Sequence, residues 1–86
     1  MSGMEVEFKS RKLQKVFNSE KELRIKYGPG NAKKIVQRMA ELQAAETLAD
    51  MHLFPAARCH ALKGKLKGRY AVDLVHPKRL IFEPAN

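Results

Sequence analysis

The feature that most constrains this chain is a change of hydrophobic period about two-thirds of the way along it. Leu13, Val16, Phe17, Leu23 and Tyr27 fall within an arc of about 120° at 100° per residue, one face of a helix. Ile35, Val36, Met39 and Leu42 make a second face of the same kind. From Arg69 onward the period drops to two: Tyr70, Val72 and Leu74 alternate with Arg69, Ala71 and Asp73, and Arg79 to Glu83 returns after His76-Pro77-Lys78. Helices gathered ahead of strands predict an α+β domain, with the helices laid on one face of an antiparallel sheet.

Local signals set the boundaries. Met4 to Phe8 alternates apolar and acidic residues and reads as a short first strand. Ser10 is placed to cap the first helix, and Ser19-x-x-Glu22 matches a capping box, so a kink or restart is expected at Asn18-Ser19. Gly28-Pro29-Gly30 breaks the helical run, Asn31 is placed to cap the second helix, and that helix should reach about Ala45. Thr47-x-x-Asp50 starts one further short turn, which Pro55 ends, and Cys59 to Leu62 reads as a strand. The expected order is β-α-α-β-β-β, two helices packed on one face of a small, mainly antiparallel sheet, in a single domain over residues 4–84. Met1-Ser2-Gly3 is set aside as a start residue with a cloning scar, or a disordered leader. A three-residue loop at residues 76–78 would place Val75 opposite Arg79, Leu74 opposite Leu80 and Val72 opposite Phe82. Asp73, Arg79 and Arg69 then share the open face, and Ile81 is the one large apolar residue turned away from the helices.

Composition narrows what such a domain can do. A single cysteine, Cys59, excludes an internal disulfide framework and fits a reducing, cytoplasmic compartment. No stretch approaches the ~20 apolar residues of a membrane helix, so no membrane partner is expected. The net charge of +8 is unevenly distributed. Ten basic residues stand against two acids between Lys9 and Arg38, none lies between Met39 and Ala57, and seven stand against Asp73 alone between Arg58 and Arg79. Blocks of this kind on a folded surface attract polyanions or acidic proteins.

Among the basic blocks, the last third carries the better candidate chemistry. Cleaving RNA without a metal requires a base for the 2′-hydroxyl, cations for the phosphate and an acid for the leaving 5′-oxygen. His60 offers proton transfer near neutral pH, and Lys63 and Arg79 offer charge for the phosphate. Lys65, Lys67 and Arg69 extend the basic hairpin. Each has a plainer reading: His60 as a structural strand residue, the lysines as a solvated loop, and Arg79 as the partner of Asp73. His52, Cys59, His60 and His76 lack the spacing of a zinc site, Gly28-Pro29-Gly30 lacks the Lys-Ser/Thr of a phosphate-binding loop, and no cofactor is expected. A helix-turn-helix regulator would need exposed polar residues at the start of the second helix, where only Lys33 and Lys34 stand.

The segment His60-Ala61-Leu62-Lys63-Gly64-Lys65-Leu66-Lys67-Gly68, followed by a strand and by Arg79-Leu80-Ile81-Phe82, resembles the plasmid-maintenance killer proteins, the HigB-like toxins of the RelE/ParE superfamily. The stretch from Met39 to Met51 resembles their second helix and the turn after it, and the likeness spans roughly Met4 to Pro84. The resemblance implies a RelE-like fold and a toxin of a type II toxin–antitoxin system, a ribosome-dependent endoribonuclease that cleaves messenger RNA and is silenced by a cognate antitoxin. It implies catalytic roles for His60, Lys63 and Arg79, and RNA or ribosome binding by Lys65, Lys67 and Arg69. Family members usually continue into a further strand bearing a catalytic group, whereas this sequence stops at Asn86. An absent strand would leave a sheet edge open to self-association. The alternatives are a non-catalytic or truncated relative that binds antitoxin or RNA, and a ParE-like inhibitor of DNA gyrase.

Overall fold

A computed structural model describes residues 6–84. Helices α1 (Arg11–Phe17), α2 (Glu20–Tyr27) and α3 (Pro29–Ala44) precede two 3-10 turns, Leu48–Leu53 and Pro55–Ala57. Strands β1 (His60–Ala61), β2 (Tyr70–Asp73) and β3 (Arg79–Phe82) then form an antiparallel sheet in the order β1-β2-β3. The chain is therefore α+β, with a small antiparallel sheet, as the change of period predicts. In the expected first strand, Met4 and Glu5 lie outside the described residues, while Val6 to Phe8 enter no regular element.

Capping explains where the helices begin. Ser10 Oγ accepts from the Leu13 amide at 3.1 Å, and Ser19 Oγ accepts from the Glu22 amide at 3.2 Å. The restart at Ser19 separates two helices rather than kinking one. Only half of the capping box forms, because the Ser19 amide already donates to the Val16 carbonyl at 3.2 Å. Thr47 likewise caps the turn after α3, accepting from the Asp50 amide at 3.3 Å.

Asn31 departs from its expected role. With Pro29 in its first turn, α3 starts ahead of Asn31, where proline lacks only an amide that would be unpaired anyway. The Asn31 side chain instead accepts from the Val75 amide at 2.9 Å, tying the start of α3 to the β2–β3 loop. Asn31→Ala should cost about 1 kcal/mol in chemical denaturation, the usual worth of one net hydrogen bond. It should also speed hydrogen exchange at Val75.

Two apolar clusters share α3. Leu23, Ala32 and Ile35 are buried between α2 and α3, with Val16, Phe17, Met39 and Leu74 packed against them. Leu42, Ala45, Met51, Ala57 and Val72 form the second cluster, where Leu80 and Phe82 of the sheet join. The buried face of α3 is Ala32, Ile35, Arg38 and Leu42, while Val36 is 40% exposed. The arginine in that list is 2% exposed, and its charge is met from three directions. Arg38 Nε donates to the Asp73 carbonyl at 2.7 Å, Nη2 to the Ala56 carbonyl at 3.1 Å, and Nη1 to Glu41 Oε1 at 3.0 Å.

The β2–β3 register is Tyr70 with Phe82, Ala71 with Ile81, Val72 with Leu80 and Asp73 with Arg79. The Leu74 amide donates to the Lys78 carbonyl, so the three-residue loop is 75–77, one residue earlier than expected. Each strand slides by one residue, and the two shifts together preserve which face every side chain takes. Val72 and Leu80 remain on the helix side, Tyr70 stacks on Phe82 at 6.0 Å, and Ile81 is 49% exposed on the other face.

Candidate active site

The open face of the sheet is assembled from every second residue. His60, Ala71 and Ile81 stand in one row across the three strands, and Asp73 and Arg79 stand in the next. Alongside Asp73, Arg58 arrives from the chain just before β1 and places Nε 3.5 Å from Asp73 Oδ2. At the far end of the same face Arg69 pairs with Glu83, also at 3.5 Å. Such exposed pairs contribute little to stability, between about 0 and 1 kcal/mol.

A cleft of about 460 Å³ opens at the Asp73 end, with Arg58, His60, Asp73, His76, Lys78 and Arg79 in its lining. Two arginines, one lysine and two histidines thus share the cleft with one carboxylate. That carboxylate is engaged by Arg58, so Arg79, although directly opposite Asp73, has no ion-pair partner among the described residues. An exposed guanidinium without a partner is suited to a bidentate grip on a phosphate.

His60 is exposed, and its Nδ1 lies 2.8 Å from the Arg58 carbonyl. A carbonyl oxygen only accepts, so the neutral ring carries its proton on Nδ1 and leaves Nε2 with a free lone pair. This tautomer is the one that can take a proton at Nε2. Cys59, next to it in sequence, is partly buried, and that burial pushes its thiol above the ordinary range. The protonated thiol is a poor nucleophile.

The structure brings some of the expected site residues together and separates others. His60 and Arg79 line one cleft. Lys63 does not join them. The Leu62 amide donates to the Arg69 carbonyl, four residues along β2 from Asp73, so Lys63 leaves the sheet roughly 14 Å from the Arg79 row. Lys63, Lys65 and Lys67 are all exposed on the loop around the 3-10 turn Gly64–Leu66. Gly64 and Gly68 bracket that turn at φ +68° and +93°, a backbone region that side-chain-bearing residues avoid. Arg69 sits at the Glu83 end of the open face.

Three further residues at the cleft carry no sequence signal for it. His76 belongs to the β2–β3 loop, Lys78 immediately precedes β3, and Arg58 follows the turn Pro55–Ala57. Nothing local marks them; only the register and the preceding turn bring them to the cleft. Among the described residues, no three of His, Cys, Asp and Glu gather in a way that could hold a metal ion. A second groove of about 490 Å³ runs beside β3, but Phe8, Leu13, Phe17, Met39, Leu80 and Phe82 make it largely apolar, without a histidine.

No helix among the described residues is long and apolar enough to cross a membrane. Comparison with curated proteins and with solved structures matched none of either. A family model described as a RelE-like toxin of the type II toxin–antitoxin system HigB matches residues 6–86, the span that carries the helices, the basic hairpin and both walls of the cleft. The chain belongs to the HigB-like toxins, a RelE-like toxin family of type II toxin–antitoxin systems, and that membership implies an antitoxin partner.

Proposed function

We propose that this toxin is a ribosome-dependent endoribonuclease that cuts messenger RNA by attack of a ribose 2′-hydroxyl on the adjacent phosphorus. One observation carries the reading: His60, with Nε2 free to take a proton, and an unpartnered Arg79 line the same polar cleft. His60 takes the 2′-hydroxyl proton as O2′ bonds to phosphorus. Arg79 holds the non-bridging oxygens on which charge builds. The P–O5′ bond breaks, and His76, across the cleft on the β2–β3 loop, returns a proton to the leaving 5′-oxygen. The products are a 2′,3′-cyclic phosphate and a 5′-hydroxyl, so atoms and charge balance without a further reactant.

Lys63, Lys65, Lys67 and Arg69, at the other end of the sheet, track the RNA backbone or the ribosome rather than the scissile phosphate. An acidic antitoxin segment laid over this basic face would bind with steep salt dependence. Among the described residues the outer sides of β1 and β3 carry no further strand, and such edges offer a route to self-association.

Mapping cuts in a message translated in a reconstituted system, with and without ribosomes, tests the proposal. Cuts confined to the translating message and absent from a His60→Ala, Arg79→Ala double variant are expected. A wild-type chain that cuts no more than this control overturns the nuclease reading and leaves a non-catalytic toxin.

A further inference from the structure

Arg58 is the one non-glycine residue with a left-handed backbone among the described residues, at φ 48° and ψ 49°. It closes the turn Pro55–Ala57, its amide donating to the Pro55 carbonyl at 3.1 Å, and it redirects the chain into β1. Glycine is the residue that closes a turn in this way without strain. An arginine there carries an unfavourable backbone at the edge of the cleft, and strain of this kind clusters where a side chain is used.

The side chain has the properties such a use needs. It is 77% exposed, and its one ion pair, Nε to Asp73 at 3.5 Å, leaves both terminal nitrogens of the guanidinium unengaged. Asp73 stands directly opposite Arg79, so the Arg58 guanidinium is held on the carboxylate that lies between it and the unpartnered arginine. The Arg58 carbonyl meanwhile holds His60 Nδ1. One residue thus reaches the cleft by its side chain and sets the histidine by its backbone.

We propose that Arg58 is a second phosphate-gripping residue of this cleft, held on Asp73 until RNA enters and then sharing the phosphate with Arg79, with its carbonyl fixing the His60 tautomer. This rests on the RNA-cleaving reading for its ligand but not for its test. The exchange is favourable because a weak, solvated pair with a carboxylate gives way to a fork on a phosphate.

The test compares Arg58→Asn with Arg58→Lys, using a single-stranded 2′-O-methyl RNA oligonucleotide, which binds but lacks the attacking hydroxyl. Asparagine tolerates the left-handed backbone, so it removes the charge and spares the turn. Lysine keeps the charge on the same backbone. Arg58→Asn should weaken binding about tenfold and flatten the slope of log affinity against log salt by about 0.7, the loss of one phosphate contact on a single strand. Arg58→Lys should restore the slope, and the His60 ring nitrogen shifts should report a proton on Nδ1 in all three proteins. Unchanged affinity and slope in Arg58→Asn, or no binding by the wild-type chain, overturns the proposal. Retained binding effects with no cleavage by the wild type on ribosomes would instead overturn the nuclease reading and leave Arg58 as a phosphate contact.

Discussion

His60→Ala should lower the cleavage rate by a factor of about 10²–10⁴, the usual contribution of a positioned acid or base. That is roughly 2.7–5.5 kcal/mol on the barrier. Stability should move by no more than about 0.5 kcal/mol, because the imidazole is exposed and its hydrogen bond to the Arg58 carbonyl is local. Single-turnover cleavage on programmed ribosomes, read beside urea unfolding, separates the two quantities. Arg79→Lys should keep part of the rate that Arg79→Ala loses, since lysine supplies the charge without the planar fork. Equal loss of rate and stability in His60→Ala would mean that the histidine holds the strand rather than moving a proton.

The largest expected effect on the fold lies at Arg38, which is buried and does not itself line the cleft. Its guanidinium joins the Asp73 carbonyl at the end of β2 to the Ala56 carbonyl, two residues before Arg58. Asp73 is the cross-strand partner of Arg79, and Ala56 lies on the chain that leads through Arg58 to His60. Arg38→Ala leaves Glu41, 12% exposed, without its partner and removes the donor from both carbonyls. Breaking a buried pair in this way costs about 3–5 kcal/mol. A domain of this length has a total of only about 4–13 kcal/mol. The urea midpoint should fall sharply, and at 37 °C a substantial fraction of the variant should be unfolded. Arg38→Met with Glu41→Leu should recover part of the loss, because apolar side chains of similar size replace a buried ion pair at little cost. A midpoint within about 0.5 kcal/mol of wild type for Arg38→Ala would show that the clamp contributes nothing measurable.

Arg38 also shows where sequence reading stops. It lies three residues after Ile35 and four before Leu42, on the buried stripe of α3, with Glu41 one turn further on. Its position marks a core residue while its charge marks a surface one, and the position prevails. The helix starts were legible because Ser10 and Ser19 act on amides three residues away. The open face was legible because alternation survives a slide of both strands together. Tertiary partners were not. Asn31 carried the local signature of a cap, yet its acceptor goes to Val75, 44 residues distant. In the same way, His60 and Arg79 were legible as chemistry, but the separation of Lys63 from them depends on the β1–β2 register, and the arrival of Arg58 depends on one left-handed residue. A cleft built from two strand edges and two loops is a property of the pairing rather than of any one segment.

In the proposed reaction the cleft that holds His60 and Arg79 turns a ribose hydroxyl on its own phosphate. Product chemistry tests this most directly, by mapping the ends of message fragments released on ribosomes by the wild-type toxin. The expected ends are a 2′,3′-cyclic phosphate, or the phosphate that forms when it opens, on the upstream fragment and a 5′-hydroxyl on the downstream one. Fragments ending in 3′-hydroxyl and 5′-phosphate would contradict it, because water rather than the ribose would then have been the nucleophile.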